Sequence, residues 1–473
     1  MLTVNLSVFK IYFSGGVYYL DGMVNSNFPP LMIELSEIFP PSNDVCFKPL
    51  QIEDNTVFIF YLKSAIDGAK LHDMLIKPFF EMKSNQSFTF YIESLPNLTN
   101  MQYGEELLIE ITKGYVLLAI NDAFYLIDIK LVNSMALQQT IIEPTVYGPQ
   151  TALSEDIEKN LNIIRHRYHE PTLKFDTHAL KGKSHKSVII MYDEKTVKQS
   201  VLQNIIEKIE NLDSPLIQST GELQLHLNGS KFSLFPITIL TERPDRISYN
   251  LAAGKVIIML NGSPQAIIAP VVFFDFMVSM EDNYHTFWIT TFTLILRYIG
   301  LFICFVLPAM YVAITSFTPD IPRTELALTV AGSRVGVPYP SFIEVIFMLM
   351  FMEFLTEASI RLPKAISATA TTVGGLILGT AVTEATLASN IMIIIVSAVA
   401  ITSFVIPISE MSFSIRICRY LLVIYTTLFG MIGLILGSLG LLMYLVNKRS
   451  FGVPYLKMYW QGDRKEIEVR SKG

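Results

Sequence analysis

Glutamate and arginine side chains recur inside apolar sequence in the second half of the chain. Glu353, Glu357 and Arg361 are spaced i, i+4 and i+8, so on a helix they form one stripe in which a glutamate can pair with the arginine. Glu344 precedes Glu353 by nine residues and points to the opposite side of such a helix. Because an ionisable group at membrane depth is costly unless it faces protein or water, the stripe could line a hydrated path or gate. It could equally cap and pack an interfacial helix.

Small and hydroxylated residues fill the next apolar segment, from Ala365 to Thr386. Such a face either lets helices pack closely or lines a pore wide enough for water, with Thr372 and Thr380 as the pore candidates. The chain also has two Gly-x-x-x-Gly patterns of the kind found where helices pack, Gly375 with Gly379 and Gly433 with Gly437.

Patterns for catalysis, cofactors and metals are missing from the sequence. Lys181-Gly182-Lys183-Ser184 superficially resembles a phosphate loop, but Thr177 stands where that loop needs its first glycine. The histidines at 166, 169, 178 and 185 lack cysteine or carboxylate partners at zinc-binding spacings. The three cysteines, at 46, 304 and 418, match neither a zinc spacing nor a disulfide framework. We expect no enzyme, no cofactor, no metal and no nucleic-acid partner.

Composition divides the chain near Met280. Only 16% of the residues are charged and the mean hydropathy is +0.43, which is too apolar for an ordinary soluble protein, and the excess lies after about Phe287. A helix needs about 17 to 25 apolar residues to cross about 30 Å of hydrocarbon. Four segments have that character: Tyr298 to Thr315, Ala365 to Ala381, Ile391 to Ile408 and Tyr420 to Val446. A fifth, Phe342 to Leu355, is shorter and carries two glutamates, so it could span, re-enter or lie buried.

Charges beside these segments predict the topology. The apolar patch from Val8 to Leu20 is interrupted by Lys10 and lacks a cleavage site, so we expect no signal peptide and a cytoplasmic N-terminal body. Basic residues after Val446 favour a cytoplasmic C-terminus as well. Two ends on one side require an even number of spans, and we favour four, with 342–355 not crossing. Two basic pairs would then lie on the side of the membrane opposite the cytoplasm: Arg361 with Lys364, and Arg416 with Arg419.

The first half of the chain contains the same α/β pattern twice. A strand-like run, Asn55 to Tyr61, is followed by a helical stretch, and Ser187 to Tyr192 is followed by another. Each unit closes with two apolar runs around a tight-turn pair, Asn121-Asp122 in the first and Asn261-Gly262 in the second. We therefore predict two related subdomains.

The expected fold class is a soluble α/β N-terminal region of two related subdomains, followed by an α-helical transmembrane domain of about four to five spans. A helix capped by Ser154 is predicted between the subdomains, up to Tyr168. The expected boundaries are 1–43 for an N-terminal extension, 44–130 for subdomain 1, 131–183 for a helical linker, 184–285 for subdomain 2, 286–446 for the membrane domain and 447–473 for a basic cytoplasmic tail.

A charged cluster precedes the last hairpin of the soluble half. It reads Thr241-Glu242-Arg243-Pro244-Asp245-Arg246. Arg243 or Arg246 could pair with acids where the chain meets a partner or the membrane. The alternative is a structural turn set by Pro244, which we favour.

Short sequence motifs characterise the chain more specifically than the periodicity of its apolar residues does. Besides residues 241–246 they are Gly254-Lys255-Val256, Asn261-Gly262-Ser263-Pro264, Leu307-Pro308-Ala309-Met310-Tyr311-Val312-Ala313, Gly336-Val337-Pro338-Tyr339-Pro340, Phe342-Ile343-Glu344, Arg361-Leu362-Pro363 and Ser403-Phe404-Val405-Ile406-Pro407. In this order and spacing, over about Ile142 to Tyr455, the chain resembles the A subunit of the GerA family of bacterial spore germination receptors.

Some strings depart from the family pattern, and these changes bear on which germinant or partner subunit the chain serves. Tyr147-Gly148-Pro149 stands for the usual Arg-Gly-Pro, Asn261-Gly262-Ser263-Pro264 for Asp-Gly-Thr-Pro, and Glu281-Asp282-Asn283-Tyr284 for Glu-Asp-Tyr-Tyr. The first subdomain matches only loosely, and the stretch before Ser36 matches poorly.

The resemblance implies that the chain is the A subunit of a nutrient germinant receptor, a multi-pass protein of the spore inner membrane or cell membrane with a cytoplasmic N-terminal domain. Its partners would be a transporter-like B subunit that binds the nutrient, a C subunit lipoprotein and membrane lipids. It further implies a homo-oligomer, with a pentamer as the candidate state, that forms a nutrient-gated ion channel and triggers germination.

In such a channel, Glu344 and the helix carrying Thr372 and Thr380 would be candidates for lining the pore. Glu353, Glu357 and Arg361 would form an ion network beside the gate. Two rival functions are a component of a secondary transporter, and a membrane scaffold that assembles the receptor without conducting. Few spans and the absence of a visible inverted repeat argue against the transporter.

Overall fold

A computed structural model describes most of the chain. The described residues are 10–13, 16–19, 29–39, 41–52, 55–82, 84–99, 104–121, 123–131, 140, 143, 145–181, 186–212, 214, 216–228, 233–321 and 323–457. They belong to two compact units, one within Met1–Lys231 and Thr238–Pro270 and the other within Phe232–Ile237 and Val271–Gly473. We call these the α/β unit and the helical unit. Much of the predicted N-terminal extension, the phosphate-loop-like string and most of the basic tail lie outside the described residues.

The first sheet of the α/β unit has five antiparallel strands. They are β3 (Val45–Ile52), β4 (Asn55–Leu62), β5 (Leu98–Thr99), β6 (Tyr115–Ile120) and β7 (Ala123–Asp128), arranged in the order β3-β4-β6-β7-β5. Before them come a two-stranded ladder of β1 (Lys10–Phe13) and β2 (Gly16–Tyr19), and helix α1 (Pro30–Ile38). The helices within this subdomain are α2 (Gly68–Leu71), which continues through a π-helical turn (His72–Ile76) into α3 (Lys77–Glu81), then α4 (Asn85–Glu93) and α5 (Glu105–Lys113).

Helices cover both faces of this sheet. Successive side chains of a strand point to opposite faces, so on β4 Val57 and Ile59 join one apolar cluster and Phe60 joins the other. The first cluster includes Phe79 and Phe88 from α3 and α4, whereas the second contains residues of α1 and α5. A strand buried on both faces reads as a continuous apolar run, which is how β4 was predicted.

The second sheet repeats the first strand for strand. Its members are β8 (Leu173–Ala179), β9 (Ser187–Asp193), β10 (Ile239–Thr241), β11 (Val256–Leu260) and β12 (Ala266–Ala269), in the order β8-β9-β11-β12-β10. The accompanying helices are α6 (Ile157–Arg165), α7 (Gln199–Glu210), α8 (Thr220–Leu227) and α9 (Pro244–Ala252). The equivalent strand order confirms the prediction of two related α/β subdomains. Strand β8 lies within 131–183, where a helical linker was predicted. It pairs with β9 along its whole length and therefore belongs to the second sheet.

Equivalent glycines mark equivalent turns in the two subdomains. Gly114 follows α5 with φ +106°, and Gly254 follows α9 with φ +75°. A Cβ atom on either glycine would lie 2.5 Å from a backbone carbonyl oxygen, that of Ala65 in the first subdomain and of Thr196 in the second. Only glycine satisfies both the left-handed conformation and the close approach.

A buried ion pair joins the two subdomains. Arg165, at the end of α6, donates from Nη2 to Asp44 Oδ2 at 2.6 Å and to the carbonyl of Leu173, where β8 begins, at 3.3 Å. Asp44 also accepts from the amide and hydroxyl of Ser64, at 2.7 and 2.9 Å. Asn162 of α6 donates to the Ser64 carbonyl at 2.8 Å. The helix between the subdomains therefore fastens the start of the second sheet to the first subdomain. It begins later than predicted, because its cap is Asp156 and not Ser154, and it ends at Arg165.

His169 makes this contact region sensitive to pH. Burial lowers the pKa of its imidazole from the ordinary value of 6.5, and nearby cationic groups add to the shift. As the pH falls below about 6.5, the unfolded chain takes up this proton more readily than the folded protein, so stability is lost. We expect the thermal unfolding midpoint of the α/β unit to fall less between about pH 7.5 and pH 5.5 in His169→Gln than in the unchanged protein. His226→Gln, at an exposed position, is the control, and an equal fall in all three proteins would contradict the assignment.

The helical unit begins with two short 3-10 turns, Phe273–Met277 and Met280–Tyr284. Its helices are α10 (Phe287–Ser316), α11 (Thr324–Ser333), α12 (Ser341–Arg361), α13 (Lys364–Glu384), α14 (Asn390–Ser403) and α15 (Ser409–Asn447), followed by strands β13 (Arg449–Ser450) and β14 (Val453–Pro454). Among the described residues, three helices are long and apolar enough to cross a membrane, at Phe287–Ser316, Ile366–Glu384 and Ser409–Asn447. The short segment 342–355 is the N-terminal part of the longer helix α12. The predicted span from Ile391 to Ile408 is shorter than expected, because α14 has only 14 residues.

Helix α15 is a hairpin, which corrects the prediction of one continuous span from Tyr420 to Val446. At Gly430 the backbone leaves the helical conformation, with φ +62° and ψ −140°. A Cβ on Gly437 would lie 2.8 Å from Leu422 Cδ1. In a straight helix these residues would be about 22 Å apart along the axis, at 1.5 Å per residue. Residues 431–447 therefore run back along 409–429, and glycines of the second Gly-x-x-x-Gly pattern form the close contact.

The helical unit starts and finishes at the same end. The arm 409–429 runs parallel to α10, because Arg419 meets Cys304 in the middle of that helix and Gly430 meets Phe317 at its end. The returning arm then brings the chain back to the level where α10 begins.

Candidate functional site

Glu344 lies at the meeting point of four helical elements. It is in the first turn of α12 with 1% of its surface exposed. Its Oε1 accepts from the backbone amide and the hydroxyl of Ser389, before α14, both at 2.7 Å. Its Oε2 accepts from the hydroxyl of Tyr311 in α10 at 3.3 Å and lies 3.3 Å from Nε of Arg334, at the end of α11. The carboxylate is thus neutralised and hydrogen-bonded inside one chain, as a buried charge requires.

Glu353 pairs with two arginines of α15. Its Oε1 accepts from Arg416 Nε at 3.1 Å and from Arg419 Nη2 at 2.8 Å, and Arg416 Nη2 is paired with Oε2. Arg419 is completely buried, and its Nη1 also donates to Cys304 Sγ in α10 at 3.7 Å. This ion triad ties the middle of α10 and of α12 to the first arm of α15, and it has one more positive than negative charge.

The position of these arginines corrects the predicted start of the last apolar segment at Tyr420, which left Arg416 and Arg419 in the stretch before it. The helix that carries them begins at Ser409, so both lie well inside it. Their glutamate partner lies 63 and 66 residues earlier, a pairing that cannot be read from local sequence. The apolar residues Ile415, Ile417 and Cys418 were the available signal, because they continue the pattern of the predicted span towards the N-terminus.

The remaining pair of the predicted stripe lies at the surface. Arg361 donates to Glu357 Oε1 from Nη2 at 2.6 Å and from Nε at 3.0 Å, with 76% and 56% of the two side chains exposed. The pair has the i, i+4 spacing expected from sequence, but Glu353 does not join it. The stripe therefore divides into a buried part, which holds helices together, and an exposed part near the end of α12.

Helix α13 has little cover from its own chain. Only 6% of its most apolar 18-residue window is buried, compared with 44% for α10. Thr372 and Thr380 are exposed on it, and their hydroxyls donate to carbonyls of the preceding turn, Ala368 O at 2.9 Å and Leu376 O at 3.0 Å. A cavity of about 540 Å³ lies between the end of α12 and the start of α13, lined mainly by Ser359, Ile360, Ser367 and Thr371.

Arg243 is the centre of a polar network in the second subdomain. It is completely buried and pairs with Asp245 through two contacts, Nε to Oδ1 at 3.1 Å and Nη2 to Oδ2 at 2.7 Å. The same guanidinium donates to Thr145 Oγ1 at 2.6 Å and to the carbonyls of Glu143 and Pro149, both at 3.1 Å. It therefore holds a loop that is about a hundred residues distant in sequence.

The rest of the 241–246 cluster strengthens the same contact. Arg246 donates to Glu143 Oε2 at 2.8 Å, and the Glu242 carbonyl accepts from the Leu153 amide at 2.8 Å. Pro244 is the first residue of α9, where a proline ring fits without loss of a hydrogen bond. The cluster forms the start of α9 and fixes the loop that contains Glu143 and residues 145–153. Tyr147, which departs from the family pattern, is 59% exposed on this loop.

Ser389 supplies the clearest single test of the Glu344 contact. Its hydroxyl caps α14 by accepting from the Met392 amide at 3.2 Å and donates to Glu344. We expect Ser389→Ala to lower the free energy of unfolding of the helical unit by about 1–3 kcal/mol, because a buried carboxylate loses a donor and a helix loses its cap. Unfolding in detergent with increasing dodecyl sulfate measures this change.

The matched control is Ser438→Ala, whose hydroxyl bonds only to the Leu434 carbonyl of its own helix at 2.8 Å. It should stay within about 0.5 kcal/mol of the unchanged protein. Equal effects of the two substitutions would show that the Ser389–Glu344 contact adds nothing to stability.

These features define a membrane protein that has a large α/β unit of two related subdomains and a helical unit with buried ion pairs. A family model described as Bacillus/Clostridium GerA spore germination protein matches residues 33–471. The chain belongs to the GerA family of spore germination proteins, among the A subunits of spore germination receptors.

Individual relatives agree with this assignment. The chain is 35% identical over 330 residues to spore germination protein GerLA of Bacillus cereus, covering 69% of this chain and 67% of that protein. It is 30% identical over 459 residues to spore germination protein KA of Bacillus subtilis strain 168, covering 91% and 84%. It is also similar to the crystal structure of the N-terminal domain of the A subunit of the Bacillus megaterium spore germinant receptor GerK3, with 21% identity, a TM-score of 0.39, and coverage of 51% of this chain and 94% of that one.

Proposed function

We propose that this chain is the A subunit of a nutrient germinant receptor in the spore inner membrane and has no enzymatic activity. The observation that carries the proposal is the family match, which runs from the first subdomain through the helical unit. In this proposal the α/β unit faces the cytoplasm, which is the spore core. The partners are a transporter-like B subunit that binds the nutrient and a C subunit lipoprotein.

Several copies of the chain assemble around an ion-conducting pore, with a pentamer as the proposed state. Helix α13 supports this part of the proposal, because it is apolar yet almost uncovered by its own chain and presents Thr372 and Thr380. Such a helix suits contact with further copies on one side and water on another. Glu357 and Arg361 lie just before it and are proposed to act beside the gate.

The two glutamates that are bonded to other helices would act differently from the exposed pair. Glu344 and Glu353 are bonded to neighbouring helices of the same chain, so we propose that they position the helices that carry α13. Glu344 would belong to the pore only if the loss of its negative charge changed the permeation of ions. A Glu344→Gln variant with unchanged ion selectivity and ion release would exclude it.

Purified protein in liposomes, by itself and with its partner subunits, tests the activity. Nutrient-stimulated current down an ion gradient is expected. Saturable uptake coupled to a second solute would favour the transporter, and neither signal would favour the scaffold. The three native cysteines are all buried, so introduced cysteines can be labelled selectively.

Cysteine accessibility then tests the pore helix. Thr372→Cys and Thr380→Cys should each lose most of the stimulated current after reaction with a charged, water-soluble thiol reagent. Ile432→Cys is the control, because this residue is 66% exposed on a different helix. Current that survives at both threonine positions would contradict a pore lined by α13.

A further inference from the structure

A folded segment follows the last membrane helix. Residues 448–455, which we call the C-terminal clamp, contain the short strands β13 and β14, paired with each other. Ser450 and Tyr455 are completely buried, although the sequence assigned this region to a basic tail. A hydroxyl buried in this way needs a defined partner, so the contacts of these two residues show what the clamp holds.

The clamp binds two separate stretches of the helical unit. The Ser450 hydroxyl donates to the Ile237 carbonyl at 2.7 Å and accepts from the Val271 amide at 3.0 Å. The Tyr455 hydroxyl donates to the Pro236 carbonyl at 2.7 Å, and its own carbonyl accepts from the Phe273 amide at 2.8 Å. One small hairpin therefore holds residues 236–237 and 271–273 side by side.

Lys448 connects the clamp to the end of α15. Its ammonium donates to the Ser233 hydroxyl at 2.5 Å and lies over the rings of Tyr444 and Tyr455, at 5.4 and 5.9 Å from their centres. The Lys448 carbonyl accepts from the Tyr455 amide at 3.0 Å. The Tyr444 ring also packs on Phe235, with 6.1 Å between the ring centres.

A second contact fixes the stretch before α10. Asp282, at the second 3-10 turn, accepts from Arg297 Nη2 at 2.9 Å, and Arg297 Nη1 donates to the Met277 carbonyl at 2.9 Å. The segment that begins at Val271 is thus bonded to the clamp at its start and to α10 at its end. The beginning of the first membrane helix and the end of the last are joined through it.

The clamp contacts the stretches of chain that connect the α/β unit covalently to the helical unit. That unit is joined to the helical unit only through 232–237 and through Val271. Both connections are the stretches that Ser450 and Tyr455 hold. We propose that the clamp couples the α/β unit to the membrane helices, so that a displacement in either unit reaches the other through residues 448–455. This inference rests on the proposed receptor function, because it assigns the clamp a role in the response to nutrient.

The test uses the full chain with Ser450→Ala, Tyr455→Phe and the double substitution. Tyr455→Phe keeps the ring against Phe273 and removes only the hydroxyl, so it isolates the hydrogen bond from packing. Ser438→Ala is the control, since that hydroxyl donates to the Leu434 carbonyl of its own helix. Hydrogen–deuterium exchange of purified protein reports on 233–237 and 271–277. Spores that lack other receptors of this family and receive a rich nutrient broth report on ion release.

We expect the double variant to accumulate normally. Its backbone amides in 233–237 and 271–277 should exchange about tenfold faster, whereas exchange in β11 should be unchanged. Spores that carry it should release ions at least tenfold more slowly. Unchanged exchange would overturn the clamp. Faster exchange with a normal response would overturn the coupling. Failure of Tyr455→Phe to accumulate would also overturn it, because the clamp would then serve folding. A failure of the proposed function can be told apart from a failure of the clamp, because spores with the unchanged receptor would then release no ions in response to nutrient.

Discussion

Glu353→Gln is expected to lower the free energy of unfolding of the helical unit by about 3–5 kcal/mol, because it leaves the fully buried Arg419 and the partly buried Arg416 without their carboxylate. Glutamine keeps the shape of the side chain and can still accept one hydrogen bond, so the loss measures the charge. Arg419 has no exposed surface through which water could replace the partner. Unfolding in dodecyl sulfate, together with the amount of protein inserted in membranes, measures the effect.

Glu357→Gln is the matched control, one helical turn further along α12. Its partner Arg361 is 76% exposed, and exposed pairs of this kind contribute about 0–1 kcal/mol. A restoring test replaces an arginine as well: Glu353→Gln with Arg416→Gln should recover part of the loss, because less unpaired charge remains. Similar small effects of the two glutamate substitutions would contradict a stabilising triad.

Gly433→Ala is expected to open the α15 hairpin. A Cβ at this position would lie 2.2 Å from the backbone oxygen of Tyr425 and 3.0 Å from Phe429 Cβ, so the two arms must separate. Backbone atoms cannot move aside as a flexible side chain would, and overpacking of this kind costs about 1–3 kcal/mol or more. We expect a loss of about 3 kcal/mol or failure to accumulate, measured by the same unfolding assay.

Gly440→Ala is the corresponding control on the same arm. Within the described part of the chain, no heavy atom lies within 4 Å of a Cβ placed there. Alanine is also the better helix former by about 1 kcal/mol, so this variant should be unchanged or slightly more stable. If both substitutions were tolerated equally, residues 431–447 would not pack against 409–429 as described.

The α/β unit was largely predictable from sequence because its signals are local. Apolar runs such as 55–61 and 187–192, and tight turns such as Asn261-Gly262, depend on residues that are close in the chain. The repetition of these signals was enough to predict two related subdomains. Strand β8 was missed because it is an edge strand with polar residues, such as Lys174 and Asp176, facing outward. Its membership in the sheet depends on pairing with β9.

The helical unit was harder to predict because its main determinants act between distant residues. The reversal at Gly430 depends on one glycine conformation inside an uninterrupted apolar run, which hydropathy reads as a single span. Glu344 and Glu353 were recognised as unusual, but their partners Ser389 and Arg419 lie 45 and 66 residues away. At 241–246 the sequence predicted a turn set by Pro244, whereas in the structure Pro244 is the first residue of helix α9, a position that the fixed backbone of proline also suits.

The Arg165–Asp44 pair also bears on how the protein is made. The two residues are 121 positions apart, and Arg165 is synthesised some 35 residues after the last strand of the first sheet. At about 5–20 residues per second, the ribosome needs roughly two to seven seconds to cover that distance. During this interval the newly made first subdomain holds the Asp44 carboxylate without its arginine. Its final stabilisation therefore follows translation of the connecting helix, which makes the order of synthesis part of the folding pathway.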